Sequence, residues 1–102
     1  MALRDAIQPA VELAREGFIA DWYQALTTAQ WSHELAAVPE TARTYLRDGH
    51  HVYRPPALHE GDRFAQPDLG RSLRLIARQG PSAFYHGALA QALEGFMKSA
   101  GG

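Results

Sequence analysis

The sequence contains no cysteine, which excludes disulfides and thiolate metal sites and leaves the redox compartment open. It also lacks an excess of charge of either sign. Ten basic against eleven acidic residues give a net charge of −1, which argues against nucleic acid as a partner and against attraction to an anionic membrane. No apolar run approaches the roughly 20 residues that a membrane-spanning helix needs, and the opening Met1-Ala2-Leu3-Arg4-Asp5 is too polar for a secretory signal. The compartment is therefore unknown, and any export signal is expected outside this chain. Internal repeats, low-complexity tracts and sustained strand alternation are missing too. No glycine-rich loop follows a strand, which removes dinucleotide and P-loop readings.

What is present reads as helix. With 46% hydrophobic residues over 102 positions, the chain can form one small core and is far from a disordered composition. A helix is expected near 3–16, with Leu3, Ile7, Ala10, Val11 and Ala14 on one face. Pro9 should clash with the carbonyl of Asp5, making 9–16 the firmer part, and Gly17 ends the segment. A second amphipathic segment is expected near 19–37. Its Trp22 and Trp31 stand nine residues apart, which places them about 180° apart on a helix, so they cannot share a face. Pro39 opens a short helix near 39–46 with Glu40 close to its positive end.

A long loop over 47–66 follows, containing Asp48-Gly49, Pro55-Pro56 and Gly61-Asp62. Structureless connections beyond ~12–15 residues are uncommon in compact domains. This loop is therefore either a surface excursion or a segment held by something outside the chain. Next comes a helix near 69–79, with Pro67 outside it, Asp68 capping its first turn and Leu69, Leu73, Ile76 and Ala77 on its apolar face. Gly80 suits the left-handed residue that ends a helix, and Pro81 suits the first position of the next, near 81–98. That last helix carries the apolar stripe Phe84, Tyr85, Ala88, Leu89, Ala92, Leu93 and Phe96. Full burial of the stripe contributes ~10–15 kcal/mol against ~20–30 kcal/mol for ordering the segment, so it needs a partner surface.

Candidate chemistry is sparse. His50, His51 and His59 with Glu60 are residue types that suit zinc, but their spacing matches no helical His-Glu-x-x-His site, and adjacent histidines on an irregular loop point apart. His33 and His86 sit at helical positions and read as hydrogen-bonded or exposed rather than as bases. Asp21, Glu34, Glu40 and Glu94 have no partner carboxylate at a catalytic spacing. Arg71, Arg74 and Arg78 read as a solvated face that pairs with Asp68 or Glu60. No catalytic, cofactor-binding or metal-binding residue is assigned, and no cofactor is expected.

One set of residues points further. Gly61-Asp62, Gln66-Pro67-Asp68-Leu69, Leu73, Ile76-Ala77, Gly80, Phe84-Tyr85, Gly87 and Ala90 resemble the middle of the large subunit of γ-glutamyltranspeptidases. The family's pattern there is close to G-D-x-x-x-Q-P-D-L-A-x-T-L-x-x-I-A-x-x-G-x-x-x-F-Y-x-G-x-x-A. Here Gly70 stands for the usual alanine and Ser72 for the usual threonine. Upstream, Pro9-Ala10, Leu13-Ala14 and Gly17-Phe18 are similar to the family's P-A-x-x-L-A-x-x-G-F, and Gly101-Gly102 falls where the family continues into a short acidic helix and the central sheet.

The resemblance implies a mainly α region, the helical segment of the αββα N-terminal nucleophile hydrolase fold, lacking the sheet. It implies an activity for the parent enzyme: hydrolysis or transfer of γ-glutamyl groups from glutathione-like amides by a threonine freed at the head of the small subunit, its own α-amine acting as base. Acylases and amidohydrolases share these helices, so the substrate stays open. Thr27-Thr28 is rejected as that nucleophile: it precedes Ala29-Gln30 inside an expected helix and lies elsewhere along the family's chain. The carboxylate-binding arginine is expected upstream of Met1 and the remaining pocket residues on the small subunit, so none is carried onto this chain. The expected role is structural, with the rest of the large subunit and the small subunit as partners. Without them, self-association through Phe84, Leu89, Leu93 and Phe96 is expected. The alternative is a free-standing helical interaction or assembly module without enzymatic activity.

Overall fold

The computed structural model describes residues 2–102 and is mainly helical, with seven helices and one two-stranded pairing among the described residues. The chain forms two compact units, one from the first helix together with Pro67–Gly102 and the other from Gly17–Gln66.

In the first unit, α1 (Leu3–Glu16) packs along α5 (Pro67–Gln79). Helix α1 runs through Pro9 without interruption, so the proline leaves one backbone acceptor without its usual donor yet does not end the helix. Ile7, Val11 and Ala14 recur at helical spacing, and Val11 is wholly buried. Helix α1 passes α5 closely at Gly70. A Cβ at that position would lie 2.8 Å from Cγ of Arg15 and 3.6 Å from Cβ of Ala14. The sequence expectation placed Pro67 outside α5 with Asp68 capping it, but Pro67 is the first helical residue. A missing N–H costs nothing at that position, because no intrahelical acceptor faces it. Asp68 instead lies within the first turn and pairs with Arg71.

Helix α5 ends at Gly80, whose φ of 75° lets its N–H donate to the Ile76 carbonyl at 2.7 Å. The single helix expected near 81–98 is two helices, α6 (Ser82–Tyr85) and α7 (Ala88–Ser99). The break has a local cause. The N–H groups of His86 and Gly87 both donate to the Ser82 carbonyl, at 2.8 and 2.9 Å, and Gly87 sits so close to Ala83 that a Cβ would lie 3.1 Å from its Cα.

In the second unit, β1 (Phe18–Ile19) pairs antiparallel with β2 (Arg63–Phe64), Phe18 opposite Phe64 and Ile19 opposite Arg63. The stretch expected as one helix near 19–37 is therefore this strand followed by α2 (Trp22–Gln30) and α3 (Ser32–Ala37). Asp21 caps α2, its carboxylate accepting from the Gln24 N–H at 2.7 Å. Trp31, at φ −110° and ψ 16°, leaves helical geometry between the two. Helix α4 (Pro39–Tyr45) begins with Pro39, and Arg43 forks onto Glu40 on its surface. The core gathers on Phe64, which is 7% exposed, with the rings of Tyr53, Phe18 and Tyr45 at 5.2, 5.6 and 6.2 Å. Leu46, Ala20, Ala25 and Ala42 complete it.

Candidate functional site

The polar centre of the second unit is Asp62. The segment 47–62 first doubles back at Asp48 and Gly49, both with positive φ, so that Arg47 and His51 bridge each other through N–H to carbonyl bonds of 2.7 and 3.0 Å. It then runs out through Pro55-Pro56 and returns to Asp62. There the Asp62 carboxylate accepts from the Arg54 backbone N–H at 2.8 Å, from its Nε at 2.9 Å and from its Nη2 at 3.0 Å. The Asp62 N–H in turn donates to the Arg54 carbonyl at 2.9 Å, and the Asp62 carbonyl accepts from the Ala20 N–H at 2.9 Å. One residue thus closes the loop and ties it to the start of α2. The base of the segment is held by the chain's own side chains.

The electrostatics follow from this geometry. Side-chain hydrogen bonds from Arg54, then its backbone N–H, then the charges of Arg54 and Arg47 hold the Asp62 carboxyl well below the usual carboxylate range. The same pairing raises Arg54. Arg47 brings Nε to 3.3 Å from Asp62 Oδ2, but this buried nitrogen makes no hydrogen bond, so it contributes charge without a directed donor. A carboxylate this firmly ionised has no proton to give and little tendency to take one. The arrangement clamps the loop through an ionised carboxylate.

The other sequence candidates are dispersed. His59 Nδ1 accepts from the Gly61 N–H at 2.9 Å, which uses one ring nitrogen to shape the loop. His50 and His51 turn their rings edge to face at 6.3 Å. Among the described residues, no group of three or more histidines and carboxylates could hold a metal ion. Asp21 is engaged as a cap, Glu40 is paired with Arg43, which lowers its pKa through hydrogen bonding and then charge, and Glu94 is paired with Lys98 at 2.9 Å. Thr27 and Thr28 lie at the end of α2 and, with Trp31, Leu35 and Tyr45, line an open apolar groove of about 260 Å³. Sequence reasoning missed the role of Asp62. The available signal was Gly61-Asp62 within the motif and an arginine eight residues earlier.

The residues of the expected stripe, divided here between α6 and α7, are largely uncovered. Phe84, Leu93 and Phe96 are 49%, 56% and 65% exposed.

Comparison with known proteins places these features in a family. The γ-glutamyltranspeptidase family model matches residues 1–102, the whole chain. The chain is 37% identical over 101 residues to the glutathione hydrolase-like YwrD proenzyme of Bacillus subtilis, covering 99% of this chain and 18% of that protein. It is 36% identical over 102 residues to the acylase ACY 1 proenzyme of Pseudomonas sp. strain SE83, covering 100% of this chain and 17% of that protein. Among solved structures, γ-glutamyltranspeptidase of Helicobacter pylori superposes with a TM-score of 0.82 at 30% identity, covering 97% of this chain and 27% of that one. The chain thus spans about a sixth of the length of the curated relatives it matches. Its fold is a mainly helical segment of the N-terminal nucleophile hydrolase fold. The chain belongs to the γ-glutamyltranspeptidase family.

Proposed function

We propose that this chain is a structural segment of an enzyme that hydrolyses or transfers γ-glutamyl groups, or related acyl groups, from amides of the glutathione type. The observation that carries this reading is the family match over residues 1–102 by a chain that spans about a sixth of its curated relatives. In this reading the catalytic threonine and the groups that bind the substrate lie in other parts of the family's fold, and this chain contributes no catalytic, cofactor-binding or metal-binding residue. Its second unit supplies a self-clamped scaffold. Phe84 on α6 and Leu89, Leu93 and Phe96 on α7 are the surface on which the rest of the large subunit packs, and the chain on its own self-associates through the same residues.

The test is a chimera in which this chain replaces the matched stretch of the B. subtilis relative. Expected is a folded protein that retains the relative's amide hydrolysis. Changing His33, His50, His51, His59 and His86 together to glutamine should then leave kcat within about twofold, because none of these groups meets the reacting atoms. A folded variant with kcat reduced a hundredfold or more and KM unchanged would refute the structural role.

A further inference from the structure

We propose that the loop 55–60 is a site of limited proteolysis by endoproteases that select a large apolar side chain, and that the cut chain stays folded as a two-piece complex. Leu58 at the loop's tip is fully exposed, the only large hydrophobic residue so exposed among the described residues. The backbone around it is neither helix nor strand, so it can adopt the extended form that a protease cleft binds without unwinding a helix. Trp22, Tyr23, Leu26 and Phe96 are also exposed, but each lies within a helix. The loop tip is held only lightly, by the Ala57 N–H to the His59 carbonyl at 3.1 Å and the Gly61 N–H to His59 Nδ1 at 2.9 Å.

Hydrolysis at Leu58-His59 would break the C–N bond, adding the hydroxyl of one water to the Leu58 carbonyl carbon and its proton to the His59 nitrogen; the new acid's proton then passes to the new amine, leaving a carboxylate and an ammonium. Neither unit is confined to one side of the cut. In the second unit, β1 and Arg54 precede the cut, while β2 and Asp62 follow it, so the strand pairing and the four-contact clamp both bridge the two pieces. In the first unit, α1 precedes the cut and packs on α5, which follows it. The covalent bond at the tip is thus dispensable to both.

Brief treatment of the full chain with chymotrypsin, read by intact mass, tests this. The first products expected are 1–58 and 59–102, which co-elute on size exclusion at the position of the uncut chain and retain its far-ultraviolet dichroism. Thermolysin, which cuts before apolar residues, should open Ala57-Leu58 with the same result. Leu58→Ala should slow the first chymotryptic cut at least tenfold without altering the dichroism. A first cut within α2 or α7, an unchanged rate in Leu58→Ala, or pieces that separate on the column would overturn the proposal.

Discussion

Gly17→Ala is the sharpest perturbation of the second unit. Gly17 has φ of 77°, and a Cβ there would lie 2.4 Å from the Phe64 carbonyl oxygen and 2.9 Å from Cβ of Ala65. Two costs add. The left-handed conformation costs a residue with a Cβ ~1–2 kcal/mol. The contact with the Phe64 carbonyl is about 1 Å inside ordinary distance and falls on backbone, so β1 and β2 must part; losing two or three net hydrogen bonds adds ~1–4 kcal/mol. A total of ~2–6 kcal/mol is a large share of the ~5–15 kcal/mol available to a domain of this size. Urea unfolding followed by circular dichroism should show the midpoint falling by ~2 M at an m-value of ~2 kcal/mol/M. Gly80→Ala is the control. Its φ is 75° with nothing within 4 Å of the added Cβ, so only the conformational cost of ~1–2 kcal/mol applies. If Gly17→Ala lowers the midpoint no more than Gly80→Ala, the contact between residue 17 and β2 is not what holds the start of this unit.

Gly70→Ala should be close to neutral, because ~1 kcal/mol of helix propensity is offset by the displaced Arg15 side chain, whose Cγ lies 2.8 Å from the added Cβ. In an Arg15→Ala background the same change should stabilise by ~0.5–1 kcal/mol, a coupling that a double-mutant cycle in urea reads directly. Asp62→Asn should lower the urea midpoint at pH 7 and flatten its acid dependence. The folded pKa of Asp62 lies below the unfolded one, so its contribution is complete above about pH 4 and declines as pH falls toward the folded value. A variant whose midpoint still falls between pH 4 and 2 as steeply as that of the unsubstituted chain would count against the clamp.

The helical character and the family were legible because both rest on local signals. Period-3.6 apolar spacing marks α1 and α5, and the left-handed glycine at Gly80 marks a boundary. Three features were not legible, each for a physical reason. The strands Phe18–Ile19 and Arg63–Phe64 are two residues long, too short to show alternation, and their pairing spans more than forty residues of sequence. Trp31 breaks a helix without proline or glycine, so propensity alone would carry the helix through it. Asp62 becomes a hub only when the loop closes, since its partners Arg47 and Arg54 are set by the turn at Asp48-Gly49 and by Pro55-Pro56, not by a fixed spacing on one element.

The uncovered stripe leads to one more prediction, in which two nearly equal terms compete. Phe84, Leu93 and Phe96 are each about half exposed and Leu89 partly so. Covering what remains of four such side chains contributes ~3–6 kcal/mol, and a symmetric pair of copies covers two sets, ~6–12 kcal/mol in all. Association of free molecules costs ~4–15 kcal/mol before any contact is made. Toward the lower end of that cost, burial exceeds it by ~4–6 kcal/mol, which gives a weak complex with a Kd from tens of micromolar to millimolar. The same stripe docking within one longer chain avoids most of that association cost, so it is better matched to an intramolecular neighbour than to a second copy. Light scattering should therefore report a single-chain mass near ~10 μM and a rising mass toward ~1 mM, with Phe96→Asp abolishing the rise. A tight dimer below 1 μM would mean that the face is built for another copy of itself, and a constant single-chain mass at ~1 mM would mean that the stripe is not sticky at all.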